Sequence, residues 1–276
     1  MNPVQVLMCP PTYFEVRDVK NPFMANQPPV DRATAQGQWE DVCLAFTEVG
    51  VPTTAIGAVP GLEDMVFTNN PVFVGMHSDV GRFIVPSRMR FDSRQREVPY
   101  LTTWFRNAGY HILDLKLADD FLEGHGDLVW QPGTRRVWAG YGYRSSLGGI
   151  RSFQTAMIPL GIDVIPLQLV DPTFYHLDTC FGPLNSEAVL IYSPAFSSES
   201  LQVIQRVWSR VHSVSHEDAM RFACNGVSVD GCYIAPNPSR DVQQILRKES
   251  LEIITVDTSE FEKSGGSVCC LKLFFR

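Results

Sequence analysis

The sequence contains no Cys-x-x-Cys pair, so a structural zinc site is not expected and no metal is assigned. It has neither a phosphate-cradling P-loop nor a Gly-x-Gly-x-x-Gly fingerprint. Leu147-Gly148-Gly149-Ile150 is too short to stand for either, and no cofactor is implied. No apolar run approaches the ~20 residues of a membrane span, so a membrane partner is not expected. Positive charge is scarce, with 23 Lys and Arg against 30 Asp and Glu, for a net charge of -7. That balance argues against a nucleic-acid partner, which needs a basic patch to neutralise phosphates. Met1-Asn2-Pro3-Val4 lacks the basic start and apolar core of a secretory leader, which points to a cytoplasmic protein. No linker or composition shift marks a domain boundary, so residues 1–276 are read as one domain. A homo-oligomer is left open.

What is present is ordinary in bulk and particular in place. Hydrophobic residues make up 45% and charged residues 19%, as in a globular chain with a full core. Seven cysteines is an odd number, so free thiols are expected in a reducing compartment. Two of them are adjacent in the closing stretch Ser264-Gly265-Gly266-Ser267-Val268-Cys269-Cys270-Leu271-Lys272-Leu273. Read as a strand, this stretch sends Cys269 and Cys270 to opposite faces, one packed and one toward a cavity. The glycines before it allow a tight turn or a close approach to a ligand.

Strands alternate with helices, which defines the α/β class. Helical spacing or boundary signals place helices over residues 31–49, 96–108, 147–160, 199–211 and 238–249, each between short strands. Residues 65–67 and 270–274 read as strands. Residues 10–29 are proline-rich and aperiodic and read as a loop, either a lid or a surface wrap. A second periodicity lies in polar residues at element ends: Asn70, Glu123, His176, Asn225 and Cys270 recur about every fifty residues, the scale of a repeated supersecondary unit. Units arranged around an axis would aim one of these residues each at a common centre. A Cys beside a His with a carboxylate is a nucleophile constellation.

Taken singly, each residue also has a structural role open to it. His176 fits a core histidine bonded to Asp178, and Glu123 and Asp127 fit turn caps. Asn70 suits a turn in Asn-Asn-Pro, and Asn225 suits a helix stop before Gly226. Arg94 and Arg144 fit solvated charges, although Arg144 lies on a strand-to-helix turn where an Arg can hold an anion bidentately. His125, among glycines, reads as exposed.

Several strings together resemble the guanidino-group-modifying superfamily, which includes arginine deiminases, dimethylarginine dimethylaminohydrolases and amidinotransferases. They are Leu7-Met8-Cys9-Pro10-Pro11, Asn21-Pro22-Phe23-Met24, Asp64-Met65-Val66-Phe67-Thr68, Trp138 to Ser145, Phe174 to Phe181, and Phe222 to Asn225. The resemblance is strongest to the catalytic module of cyanobacterial arginine dihydrolase. It implies a five-bladed α/β propeller, the pentein fold, matching the fivefold phase. It implies Cys270 as nucleophile, His176 as general acid/base and Glu123 as its carboxylate partner. It further implies substrate contacts from Asn21, Asp64, Asn70, Arg94, Asp127, Arg144, Asp178 and Asn225, with Arg94 and Arg144 on the substrate α-carboxylate.

Two departures bear on the reaction. Asn69-Asn70 stands where arginine deiminases carry an Asp and dimethylarginine hydrolases a Glu-Asp pair. The acidic string Glu123-Gly124-His125-Gly126-Asp127 is one residue longer than in deiminases; the dihydrolase group shares both that length and the Asn. The implied activity is hydrolysis of arginine to ornithine, carbon dioxide and ammonia via citrulline, through a covalent Cys thiouronium. Dimethylargininase activity is the alternative, then arginine deiminase or an amidinotransferase. The partner module of the longer cyanobacterial enzymes has no counterpart here, so the hydrolytic module alone is expected.

Overall fold

The computed structural model describes residues 4–276; Met1–Pro3, read above for a leader, lie outside the described residues. Five separate three-stranded sheets make up the β structure. Four follow one plan. A strand pairs antiparallel with the next, a helix crosses over, and a third strand pairs parallel with the middle one. Val72–His77, Gly81–Pro86 and His111–Ile112 form the first such blade, crossed by the helix Val98–Asn107. Leu128–Trp130, Arg136–Tyr141 and Asp163–Gln168 form the next, crossed by Leu147–Met157. Phe181–Pro183, Ala188–Ile191 and Arg210–Ser213 follow, crossed by Ser198–Val207. Val227–Val229, Cys232–Pro236 and Glu252–Val256 come last, crossed by Arg240–Lys248.

The remaining blade joins the two ends of the chain. Gln5–Met8 pairs parallel with Thr53–Ala55 across the helix Arg32–Glu48, and antiparallel with Leu273–Phe275. Its register runs Gln5 with Phe275 and Leu7 with Leu273, so the C-terminal strand closes the ring. The crossovers are helices because parallel neighbours need a long connection. Ser146, Ser197 and Ser239 each start a crossover helix by accepting from the backbone N–H three residues on. Such a cap contributes about 1 kcal/mol. Buried side chains fill the space between a sheet and its helix, for example Val74, Ile84, Leu101 and Phe105, while Phe73 and Phe83 on the other face pack against Phe153 of the next blade's helix.

Every blade is entered through a short helical turn. These turns are Glu63–Val66, Gly124–Asp127, Leu177–Thr179, Ala223–Asn225 and Val268–Leu271. Two of them correct the sequence reading. Residues 65–67 form no strand, and Cys270 lies on a helical turn before the strand Leu273–Phe275. A short apolar run does not distinguish the two by periodicity. On the turn, Cys269 and Cys270 diverge by about 100° instead of alternating. Among the described residues, no helix is long and apolar enough to cross a membrane.

Candidate active site

Asn70, Glu123, His176, Asn225 and Cys270 each lie on or beside one of the five turns, so the fold delivers them together. Cys270, on the last turn, is buried. Its Sγ donates to Asp178 Oδ2 at 3.2 Å and lies 3.3 Å from Asn225 Nδ2. Asn225 is itself fixed: Nδ2 also donates to the Asp178 carbonyl at 2.8 Å, and Oδ1 accepts from Ser267 N at 2.9 Å. Burial pushes the Cys270 thiol well up, and Asp178 and Cys269 add to it against the Asn225 hydrogen bond. At neutral pH the site therefore rests with a thiol.

His176 precedes the Leu177–Thr179 turn, and its Nε2 lies 2.8 Å from Glu123 Oε2. That oxygen also accepts from Arg144 Nη1 at 2.9 Å, while Oε1 accepts from Arg90 N at 2.8 Å. Burial would raise Glu123, but Arg144 and the His176 contact outweigh it and hold the carboxyl well below its usual range. Arg144 is clamped between the rings of Phe91 and Tyr175, with its guanidinium carbon 4.8 Å and 4.7 Å from their centroids. It also donates to the carbonyl of Lys20 on the lid loop at 3.3 Å.

Three side chains do different work from the one the sequence suggested. Arg94 faces the cavity but is spent internally. It donates to both oxygens of Glu97 at 3.1 and 2.8 Å, to Asn70 Oδ1 at 2.9 Å, and to the Asp64 and Phe67 carbonyls. Little of its fork remains for a substrate carboxylate; Arg144 keeps more of its donors. Asp127 has both oxygens occupied, Oδ1 by Leu177 N at 3.0 Å and Oδ2 by the Ser145 N–H and hydroxyl at 3.1 and 2.7 Å. It ties two loops together instead of facing a ligand. His125 is not exposed: Val74 N donates to its Nε2 at 2.9 Å and Nδ1 meets Leu128 O at 2.9 Å. Burial, with Lys272 nearby, holds it neutral, its pKa lowered to about 3.

Asp178 is the carboxylate beside the thiol that keeps capacity; the other unsatisfied carboxylates, Asp64 and Glu63, lie against the Lys20 ammonium. Asp178 Oδ2 accepts from Cys270 and, at 3.1 Å, from Asn69 Nδ2, while buried Oδ1 takes no hydrogen bond from the protein. Burial raises its pKa to about 6, against the Cys270 hydrogen bond and the charge of Lys272. Asn70 Nδ2 is another buried group without a protein partner.

Cys270, Gly266, Phe67, Asn70, Arg94 and Arg144 wall a narrow cavity that Lys20, Asn21 and Met24 roof; Glu123, His176 and Asp178 stand outside its lining, Asp178 reaching it through the Cys270 thiol. Asn21 caps the turn Pro22–Met24 by accepting from Phe23 N at 3.0 Å and fastens the roof by donating to Ser264 O at 2.9 Å. Tyr175 donates to Gly265 O at 2.7 Å. Gly265 has φ +81°, and a Cβ there would lie 2.8 Å from Asn21 Oδ1, so only glycine fits. Asp64 lines the cavity, but Lys20 of the roof is ion-paired to it at 3.0 Å. The sequence reading missed Lys20, Asn69, Ser145, Tyr175 and Lys272. Asn69, Ser145, Tyr175 and Lys272 stood inside stretches already singled out; Lys20, an isolated Lys, carried no such signal.

Five ββαβ blades closing on a buried thiol, a His–carboxylate pair and a clamped Arg define a protein of the guanidino-group-modifying superfamily, with the pentein fold. Comparison with known proteins agrees. The family described as N,N dimethylarginine dimethylhydrolase, eukaryotic, matches residues 11–274, and the chain belongs to that family. It is 35% identical over 273 residues to the bifunctional arginine dihydrolase/ornithine cyclodeaminase ArgZ of Synechocystis, covering 98% of this chain but 37% of that one. It is 34% identical to the N(G),N(G)-dimethylarginine dimethylaminohydrolase of Mycobacterium tuberculosis, covering 96% of this chain and 84% of that one. The solved N-terminal domain of ArgZ bound to its substrate superimposes with a TM-score of 0.91 at 33% identity, over 99% of this chain and 98% of that one.

Proposed function

We propose that the chain is a cytoplasmic guanidino hydrolase, a single catalytic domain that takes arginine to ornithine, carbon dioxide and two ammonia through citrulline. The observation that carries the reading is the pairing of a Cys270 thiol with an Asp178 carboxylate that has one oxygen to spare. The immediate charges support it. Glu123 is ion-paired with Arg144, Arg94 with Glu97 and Lys20 with Asp64, whereas Asp178 beside the thiol has no ion pair among the described residues. A guanidinium supplies that missing partner.

The guanidinium N–H groups bind Asp178 by charge-assisted hydrogen bonds. The cation between Asp178 and Cys270 offsets the carboxylate that holds the thiol protonated, so thiolate forms where it is needed. Sγ attacks the central carbon, His176 protonates the departing nitrogen, and ammonia leaves a thiouronium on Cys270. His176 then takes a proton from water, whose oxygen adds to the same carbon and releases citrulline. Glu123 holds the imidazole in register and stabilises its cation. Arg144 takes the substrate α-carboxylate, and Asn21 closes the roof.

Asn70 bears on whether the reaction stops there. An amide in place of a carboxylate removes one charge that would select the cation over a neutral ureido group. Citrulline then stays for a second attack, which expels the second ammonia; hydrolysis of the carbamoyl thiol ester releases ornithine and carbon dioxide. Mass analysis after incubation with arginine tests this. Ornithine with two ammonia is expected, and stoichiometric citrulline without ornithine overturns it. Asn70→Asp is expected to stop at citrulline.

The family match favours a second reading, hydrolysis of a methylated arginine to citrulline and an amine. Release of dimethylamine from asymmetric dimethylarginine at a higher kcat/KM than ammonia from arginine would establish it.

A further inference from the structure

Lys272 stands two residues beyond Cys270 and is buried. A buried ammonium is costly unless paired. Yet the partners it has are neutral: Nζ donates to Asn69 Oδ1 at 3.2 Å and to Cys269 Sγ at 3.5 Å, and lies 5.0 Å from the Phe274 ring centroid. An ammonium only donates, so Asn69 must turn its oxygen to Lys272. That orientation leaves the Asn69 amide nitrogen on the other side, where it donates to Asp178 Oδ2 at 3.1 Å. Cys270 Sγ occupies the same Oδ2. The cation thereby sets which oxygen of Asp178 is engaged and which is left for substrate.

We propose that Lys272, acting through the Asn69 amide, is a positioning residue that keeps Asp178 a carboxylate with its free oxygen turned to the guanidinium. The inference rests on the guanidino-hydrolase reading above and adds a residue that reading does not use.

Asp178 is faced from every side. Cys269, Cys270 and Lys272 come from the closing turn and the residue after it, Asn69 from the first turn, and Asn225 from the fourth. Tyr175, His176 and Cys180 flank it on its own segment, and Asp127 holds that segment through Leu177 N. Burial raises the Asp178 pKa to about 6, and among the opposing influences Lys272 is the full positive charge. Removing that charge moves Asp178 further up, into the range where it would be protonated at neutral pH. Removal also frees Asn69 to flip and present an oxygen to Asp178, which favours the protonated acid again.

The test compares the wild-type chain with Lys272→Met, which keeps the side-chain length and loses the charge, and with Lys272→Arg. Carbon NMR of labelled aspartate, assigned with Asp178→Asn, follows the carboxyl directly and does not depend on the reaction. The Lys272→Met titration is expected to move up by about one pH unit, and Lys272→Arg to restore it. In ammonia release from arginine, the acid limb of kcat/KM moves with it. Lys272→Met then loses about fivefold at about pH 6 and less than about twofold on the alkaline plateau. A carboxyl titration that stays in place in Lys272→Met overturns the inference. Where Lys272→Met does not fold, Asn69→Asp decides instead, since it neutralises Lys272 and repels Asp178; an unmoved titration there also overturns it. Failure of the wild-type chain to release ammonia from arginine or a methylarginine would instead sink the reaction, and the NMR result would still stand on its own.

Discussion

Glu123 and His176 meet at 2.8 Å through Oε2 and Nε2, and Glu123 is fully buried. Its carboxyl stays ionised because Arg144 shares the same oxygen. In the proposed reaction this contact would set the ring's orientation and offset the charge the ring gains on taking a proton. Glu123→Gln keeps an oxygen for Arg144 and loses that charge. It is expected to lower kcat by about 10²–10⁴-fold while the circular dichroism spectrum stays that of the parent. A kcat within about threefold of the parent would remove Glu123 from the proton-transfer machinery.

The roof is fastened at one point by the Asn21 amide, which donates to Ser264 O at 2.9 Å beside Gly265. Asn21→Ala removes that bond and the cap on Pro22–Met24, a loss of about 1 kcal/mol for each hydrogen bond. The closed roof becomes less populated, so KM rises by about 5–30-fold, the range spanned by losing one or both bonds, with kcat changed by less than about twofold. Steady-state kinetics reads the split; a fall in kcat at constant KM would mean that Asn21 acts in the chemistry.

The fivefold phase was legible because each blade repeats one ββαβ plan of near-constant length. Asn70, Glu123, His176, Asn225 and Cys270 therefore come round at similar intervals. What each side chain spends its hydrogen bonds on was not legible. Arg94 and Glu97 lie three residues apart, and that spacing describes an exposed pair as well as a buried one. Asp127 reads as a ligand from its motif, yet the Ser145 and Leu177 donors that consume it come from 18 and 50 residues away. Val268-Cys269-Cys270-Leu271 is apolar enough for strand or helix, and only the closing of the ring at Leu273–Phe275 sets where the strand begins.

Gly126 separates Asn70 from His176. A Cβ there would lie 2.2 Å from Asn70 Nδ2 and 3.1 Å from His176 Nδ1. Gly126→Ala forces the Asn70 amide aside, and with it the Arg94 contact at 2.9 Å. Activity on arginine is expected to fall by about 10²-fold, since a misplacement of about 1 Å is felt on that scale. Stability should drop by about 1–3 kcal/mol in urea unfolding, the usual cost of overpacking. Parent-like kcat/KM in Gly126→Ala would show that the space between Asn70 and His176 is not used.

Of the carboxyls that burial raises, three move furthest, Asp127 and Asp178 to about 6 and Glu97 to about 7. The unfolded chain holds such groups near the ordinary value of about 4. Between about pH 4 and pH 7 the folded protein therefore binds protons that the unfolded chain does not. Stability from these groups is fully present below their unfolded values and is lost as pH rises through the folded ones. Glu123 acts in the opposite sense. Its folded value is depressed, so its contribution is present above about pH 4 and is lost as pH falls toward the folded value. His125, lowered to about 3, opposes one of the three raised carboxyls between about pH 4 and 6.5, and the other two leave stability falling as pH rises past about 5. Calorimetric scans are expected to give a higher Tm at about pH 5.5 than at about pH 8. A Tm that climbs steadily across that interval would mean that the three raised carboxyls are ionised in the folded protein without cost.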